Sequence, residues 1–520
     1  MRHRAWLVGW LFLAAPSLAH AETYVVATTG DDANTGLPGS PWATLQHAAD
    51  TVAPGDTVTV EPGDYAGFYV TTSGTQAAPI TFAAKEGVFI TSENGFTNLD
   101  GINIEDTENG EVISYVTVQG FTVNGMARAG IRTAVSSHVI LRNNKTDQNG
   151  VWGILTGFAE DVLIEDNECS RSGDEHGIYV GNSADRPIIR RNLVWGNNAN
   201  GIHMNADASL GGDGIISDAL VESNILYGNG DAGGSAINCD GVQSSRIQNN
   251  LIYDTHASGI SLYMIDAAEP AKNNVVVNNI ILVAADGRWA LNIREGSTGN
   301  KLYNNILWNQ HSFRGSIDIA PDALPGFASN NNLMLDRFTV DGDNIITLAD
   351  WQEATGQDMA SSTSEPVFVD VAAGDYHSAP NSPAVDKGTA TEAPAVDLEG
   401  VSRPQGTAVD IGAYELCAAE GCEMGSGGAG GAGGSGGSGA NGGSGGNGNA
   451  GGNGNGASGG GGDGGGASGG GGSGGGGDGD GEDGGCGCRA AGSEDGTDGS
   501  WGVWLMGAAL AMGGLRRRRS

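Results

Sequence analysis

Leu141-Arg-Asn-Asn144, Ile164-Glu-Asp-Asn167, Ile189-Arg-Arg-Asn192, Val221-Glu-Ser-Asn224, Ile247-Gln-Asn-Asn250, Val276-Val-Asn-Asn279 and Leu302-Tyr-Asn-Asn305 are seven copies of one phrase. Each is an aliphatic residue, two variable positions and an asparagine. Successive asparagines lie 23, 25, 32, 26, 29 and 26 residues apart, a period that belongs to stacked repeats. A second phrase keeps step with the first, a small residue followed by an aliphatic one. It reads Gly130-Ile131, Gly153-Ile154, Gly177-Ile178, Gly201-Ile202, Ala236-Ile237, Gly259-Ile260, Ala290-Leu291 and Ser316-Ile317. Short alternating segments parted by Gly, Asn, Asp and Ser, without helical periodicity, make each repeat a coil of strands and turns. Such coils stack about 4.8 Å apart into an all-β parallel β-helix. Asn favours turns in general, but seven at one register position imply a ladder in which each amide bonds the one above and below.

The approach to the repeats contains Tyr24-Val-Val-Ala-Thr-Thr-Gly-Asp31, then Pro41-Trp-Ala-Thr-Leu-Gln46, which opens a short amphipathic helix, then Pro54-Gly-Asp-Thr-Val-Thr-Val-Glu-Pro-Gly63. This opening resembles that of secreted right-handed parallel β-helix proteins of the pectate-lyase-like superfamily. The resemblance runs over about residues 23–335 and implies a helical N-terminal plug, because a first coil left open exposes apolar surface and unpaired strand edges. Residues 22–110 are then the cap and first coils, and 111–335 the repeats. Residues 336–420 lose the period and carry Glu365-Pro-Val-Phe-Val-Asp370, Asp375-Tyr-His-Ser378 and Asp410-Ile-Gly-Ala-Tyr-Glu415. They look like the module that follows β-helices in surface-anchored bacterial proteins, and are expected to cap the far end.

Both termini read as export signals. Residues 1–21 join Arg2 and Arg4 to an apolar run and Ala19-His20-Ala21, a secretory signal peptide with its cleavage site. Residues 421–485 are a Gly-rich linker, unable to bury a core. Residues 486–520 hold Cys486-Gly-Cys488, the apolar Trp501 to Leu515, and Arg516 to Arg519. The apolar run is short for a spanning helix, which needs about 17–25 residues. In that order the three parts resemble the myxobacterial sorting tail of the MYXO-CTERM type, which implies membrane retention with the arginines inside. It further implies processing at Cys486 or Cys488 and delivery to the surface of a Gram-negative cell; a plain C-terminal anchor is the alternative. Of the other cysteines, Cys417 and Cys422 can pair in an oxidising compartment, while Cys169 and Cys239 fall at inward positions.

Lys and Arg total 25 against 61 Asp and Glu, a net charge of -36. Nucleic acid is thereby excluded as a partner, and a polyanion would need intervening cations. A monomer is expected.

Strand alternation turns the residues one and three beyond each small-aliphatic pair outward. The first outward row is Arg132, Leu155, Tyr179, His203, Asn238, Ser261, Asn292 and Asp318; the second is Asn205, Asp240, Tyr263 and Arg294. The stretched asparagine spacings of 32 and 29 residues place loops at 206–218 and 264–273 beside these rows, where solenoid insertions commonly wall a binding face. A uronate-cleaving lyase needs a base and a charge stabiliser. His203, Tyr263 or Lys272 could be the base, Arg294 the partner of the carboxylate, and Asp240 with Asp207 and Asp213 the ligands of Ca²⁺. Asn205, Asn238, Asn292 and Lys272 would bind substrate. A glycoside hydrolase would instead pair Asp240 with Asp207 or Asp266. Asp174-Glu175-His176, near Asn200, is a reserve cluster. The leading expectation is a surface protein that engages acidic polysaccharide, foremost as a lyase. The alternative is a non-catalytic adhesin or carbohydrate-binding protein, favoured by the absence of the lysine base and calcium cluster of the best-matched lyase families.

Overall fold

The computed structural model describes residues 21–106, 109–342, 344–417 and 421–425. The expected signal peptide up to residue 20, the expected linker beyond residue 425, and the expected sorting tail with Cys486 and Cys488 lie outside them. No helix among the described residues is long and apolar enough to cross a membrane.

The chain is a right-handed parallel β-helix with three sheets of twelve, eleven and twelve strands. One coil runs through Leu163–Glu165 in the first sheet, Glu168–Ser170 in the second and Ile178–Gly181 in the third. It then returns to Ile188–Arg190, which pairs in parallel with Leu163–Glu165. Inward residues such as Ile164, Cys169, Ile178, Ile189, Val194 and Ile202 are fully buried in one continuous core.

The ladder holds throughout the repeats. Asn192 donates from its backbone N–H and its Nδ2 to Asn224 Oδ1, each at 3.0 Å, and from Nδ2 to the Ile164 carbonyl at 2.9 Å. Asn332 extends the ladder by one rung, accepting from Asn305. The strained backbone belongs to the neighbour: Asn143, Asp166, Arg191, Ser223, Asn249, Asn278 and Asn304 all have φ near +54°, within 53–56°. Turn preference and ladder therefore occupy adjacent positions. A shorter ladder joins Asn197 to Asn229 at the next corner, Nδ2 to Oδ1 at 2.9 Å, and a third joins Asn274 to Asn300 at 3.1 Å.

The small residue of the second phrase answers to close approach between coils. A Cβ on Gly201 would come within 2.7 Å of the Ala236 carbonyl, and one on Gly259 within 2.4 Å of that of Ala290.

Where the plug is expected, the helix Leu45–Thr51 is capped by Thr44 and buries Leu45, Ala48 and Ala49. At the far end the helix Leu348–Thr355 opens with a Thr347–Asp350 capping box. It buries Trp351 against Phe338, with ring centroids 5.3 Å apart. The rest of the C-terminal module departs from expectation. Tyr376, Ala384, Ile411, Ala413 and Tyr414 pack against Leu251, Ile280, Ile306 and Leu333 on the outer face of the second sheet. That face offers an apolar stripe which the far end, already closed by Trp351, does not. Arg403, fully buried, ties the module together by pairing with Glu415 at 2.8 Å. Cys417 and Cys422 form a disulfide, and Cys169 and Cys239 are free and buried.

Candidate functional site

The third sheet carries the expected rows in the expected register. Tyr179 pairs with His203, His203 with Asn238, Asn238 with Ser261, Ser261 with Asn292 and Asn292 with Asp318. In the second row Asn205 pairs with Asp240 and Asp240 with Tyr263. Arg294 follows the strand Leu291–Ile293, its N–H bonded to the Leu262 carbonyl at 3.0 Å.

Exposure departs from expectation. His203, Asn205, Asn238, Asp240, Tyr263 and Asn292 are all buried, none more than 7% exposed. The two insertion loops do not stand apart as groove walls. They clasp each other: Asp207 bridges Ala267, the Ala208 N–H bonds the Asp266 carbonyl at 3.0 Å, and the Ala268 N–H bonds that of Gly214 at 3.0 Å. Asp240 holds the clasp down, its two carboxylate oxygens accepting the N–H groups of Ile265 at 2.9 Å and Asp266 at 2.8 Å. Burial, with the nearby Asp266 charge, pushes the Asp240 carboxyl above its usual range despite those bonds. Asp240 thus serves as an anchor for a loop.

The three carboxylates expected to hold calcium each accept a backbone N–H. Asp207 accepts the Ser209 N–H at 2.8 Å, Asp213 that of Ile215 at 3.0 Å, and Asp240 faces the clasp. Among the described residues no group of three or more His, Cys, Asp or Glu side chains is placed to hold a metal ion. Arg294 pairs with buried Asp318 and donates to Asn292 at 3.0 Å. Lys272 pairs with Glu269 at 2.8 Å. Asn238 donates to the Tyr263 hydroxyl at 3.0 Å. Arg294, Lys272 and Tyr263, expected to neutralise or deprotonate a uronate, are therefore engaged with the protein itself.

The open half of the face lies on the preceding coils and includes the reserve cluster. Trp152, Leu155 and Tyr179 are half-buried, and the Trp152 and Tyr179 rings stack 5.8 Å apart. Trp152 Nε1 donates to Glu175 Oε2 at 2.8 Å, and Asn205 Nδ2 to the Tyr179 hydroxyl at 3.2 Å. Burial raises the Glu175 carboxyl above its ordinary range. His176 Nε2 lies 2.9 Å from His203 Nδ1 and 3.4 Å from Glu175 Oε2.

The tautomers follow from the neighbours. The Asn200 backbone N–H points at His176 Nδ1 at 3.3 Å and can only donate, so the His176 proton sits on Nε2. His203 Nδ1 then accepts, and the His203 proton sits on Nε2, a buried atom with no partner among the described residues. Burial lowers His176 well below the usual imidazole value and His203 to about 3. In this arrangement His203 offers a neutral N–H donor, not the basic nitrogen expected of it. The link from His176 to His203 joins motifs 27 residues apart, and only the coil-by-coil register of Asn200 beside His176 hinted at it.

A family model described as periplasmic copper-binding protein (NosD) matches residues 50–211. The uncharacterized protein YwoF of Bacillus subtilis (strain 168) is 26% identical over 430 aligned residues, covering 69% of this chain and 91% of that one. Among solved structures, the pectate lyase Pel9A superposes with a TM-score of 0.54 at 15% identity, over 77% of this chain and 97% of its own. An alginate lyase from Paenibacillus sp. str. FPU-7 matches with a TM-score of 0.41 at 19% identity, over 57% of this chain and 97% of its own. The likeness to Pel9A is one of fold.

Proposed function

We propose that the protein is an exported β-helix that binds polysaccharide along the open half of its third sheet. The carrying observation is the strip of Trp152, Leu155 and Tyr179, half-buried and lined by the Glu175 carboxylate and the Tyr179 hydroxyl. Apolar surface beside fixed polar atoms suits a sugar, which presents C–H faces and hydroxyls together. Export is supported by the N-terminal signal sequence and by the match to a family described as periplasmic. Surface attachment through the sorting tail belongs to the same proposal. The pectate lyase fold supports a polysaccharide as partner without transmitting an activity.

Binding is favoured over β-elimination because Arg294, Lys272 and Asp240 are committed to Asp318, Glu269 and the loop backbone. The test offers the full-length protein to neutral and uronic-acid polysaccharides, with and without Ca²⁺. Retention and the ultraviolet absorbance of unsaturated product are both read. Retention without product is expected, and Trp152→Ala with Tyr179→Ala should weaken it. Unsaturated product would establish the lyase instead, and retention of no polysaccharide would remove the proposal.

A further inference from the structure

A recess of 310 Å³ opens on the outer face of the first sheet at its C-terminal end, far along the solenoid from Trp152 and Tyr179. Its floor is Tyr303 and Asn330, register partners on the last two strands of that sheet. Its walls come from Gln357 and Met359, just after the end-capping helix, and from Thr391 of the C-terminal module. Three separate parts of the chain thus meet around it. The volume falls at the lower end of the range for small-molecule sites, about 300–1,000 Å³.

We infer that this recess binds an uncharged sugar ring, as a site separate from the third-sheet face. Its hydrogen-bonding groups are fixed by their other partners. Asn330 Oδ1 accepts the Ala360 N–H at 2.7 Å, which leaves Nδ2 as a free donor. Asn331 Nδ2 is spent on the Lys387 carbonyl at 3.1 Å, which leaves Oδ1 as a free acceptor. Tyr303 adds a half-buried ring and hydroxyl, and Met359, 68% exposed, an apolar rim.

The recess offers no charge. Asp358, the one carboxylate among its lining residues, is 1% exposed. Its Oδ1 accepts from Ser329 at 2.8 Å, Asn332 at 3.0 Å and Ser361 at 2.7 Å, and its Oδ2 from Trp351 at 2.9 Å. A phosphate or carboxylate would find no cation here, on a chain whose net charge is -36, and a metal ion no available carboxylate. A donor, an acceptor and an aromatic ring without charge match a hydroxylated ring, whose hydroxyls both donate and accept.

The test titrates the full-length protein with cello-, xylo- and manno-oligosaccharides by calorimetry. Two variants probe the recess. Asn330→Asp keeps the oxygen that receives the Ala360 N–H and deletes the donor, while Thr391→Trp fills the mouth from an exposed position. At least one neutral oligosaccharide should retain binding in the Trp152→Ala, Tyr179→Ala protein, weaken tenfold or more in Asn330→Asp and be lost in Thr391→Trp. Binding that vanishes with Trp152 and Tyr179 yet ignores both recess variants would overturn the site while sparing the third-sheet proposal. Failure of every neutral oligosaccharide to bind the double variant would overturn it also.

Discussion

At the scale of single residues, a ladder asparagine works through four hydrogen bonds. Asn224 receives the N–H and Nδ2 of Asn192, and gives its own Nδ2 to the Ile189 carbonyl and to Asn250 Oδ1, all at 2.9–3.0 Å. Asn224→Ala removes every one inside a dry core, where each stranded partner costs about 1–3 kcal/mol. A loss of at least about 3 kcal/mol in urea unfolding is expected. The buried histidines act on stability through pH. Both are held neutral in the folded state, with pKa below the ordinary value near 6.5. Their contribution is therefore whole above pH 6.5 and is lost as pH falls below it, for His203 toward about 3. The slope should approach about 1.4 kcal/mol per pH unit for each histidine. Urea midpoints measured from pH 7 to 5 in wild type and in His203→Gln check this, since the variant should show the shallower fall.

Elements were legible in the sequence where one rule repeats, and illegible where a part occurs once. The rows from Tyr179 to Asp318 could be placed because parallel strands in a coil stack share one register, and a slip would turn every side chain to the wrong face. Nothing in the letters says that the loops of residues 206–218 and 264–273 would bond each other. That contact depends on their path above the sheet, and it turns outward residues into buried ones. Asp240 is the hinge of this difference. Asp240→Ala leaves the N–H groups of Ile265 and Asp266 without acceptors, at a cost of about 1–3 kcal/mol. Limited proteolysis should then cut within residues 264–268, a stretch expected to resist in wild type. The helix Leu348–Thr355 tests the cap in the same way. Trp351→Ala removes a fully buried indole at about 3–5 kcal/mol. It also opens the last coil's edge, so self-association measured by sedimentation should rise.

At the largest scale, the described residues form a solenoid with a module packed along its flank, and the chain's acidic charge bears on what approaches. The flanking module was unreadable as such because its apolar partners, Leu251, Ile280, Ile306 and Leu333, sit at outward positions that sequence alternation assigns to solvent. Electrostatics decides between partners. The charges of Glu175, Asp207 and Asp266 act on Tyr179 and that of Asp174 on Glu175, and Arg294 and Lys272, the cations expected to engage a uronate, are already paired. With 61 acidic against 25 basic residues, a uronate chain meets repulsion that a neutral chain does not. Salt screens such fields over about 10 Å at 0.1 M. Retention of neutral polysaccharide should therefore be flat between 20 and 300 mM NaCl, on the order of conditions that span this screening length. Any retention of a uronate polymer should be weaker at the low end and rise with salt. Affinity electrophoresis across that series measures both. A uronate polymer held most tightly at low salt would mean that attraction governs the face, and would restore the acidic polysaccharide as its partner.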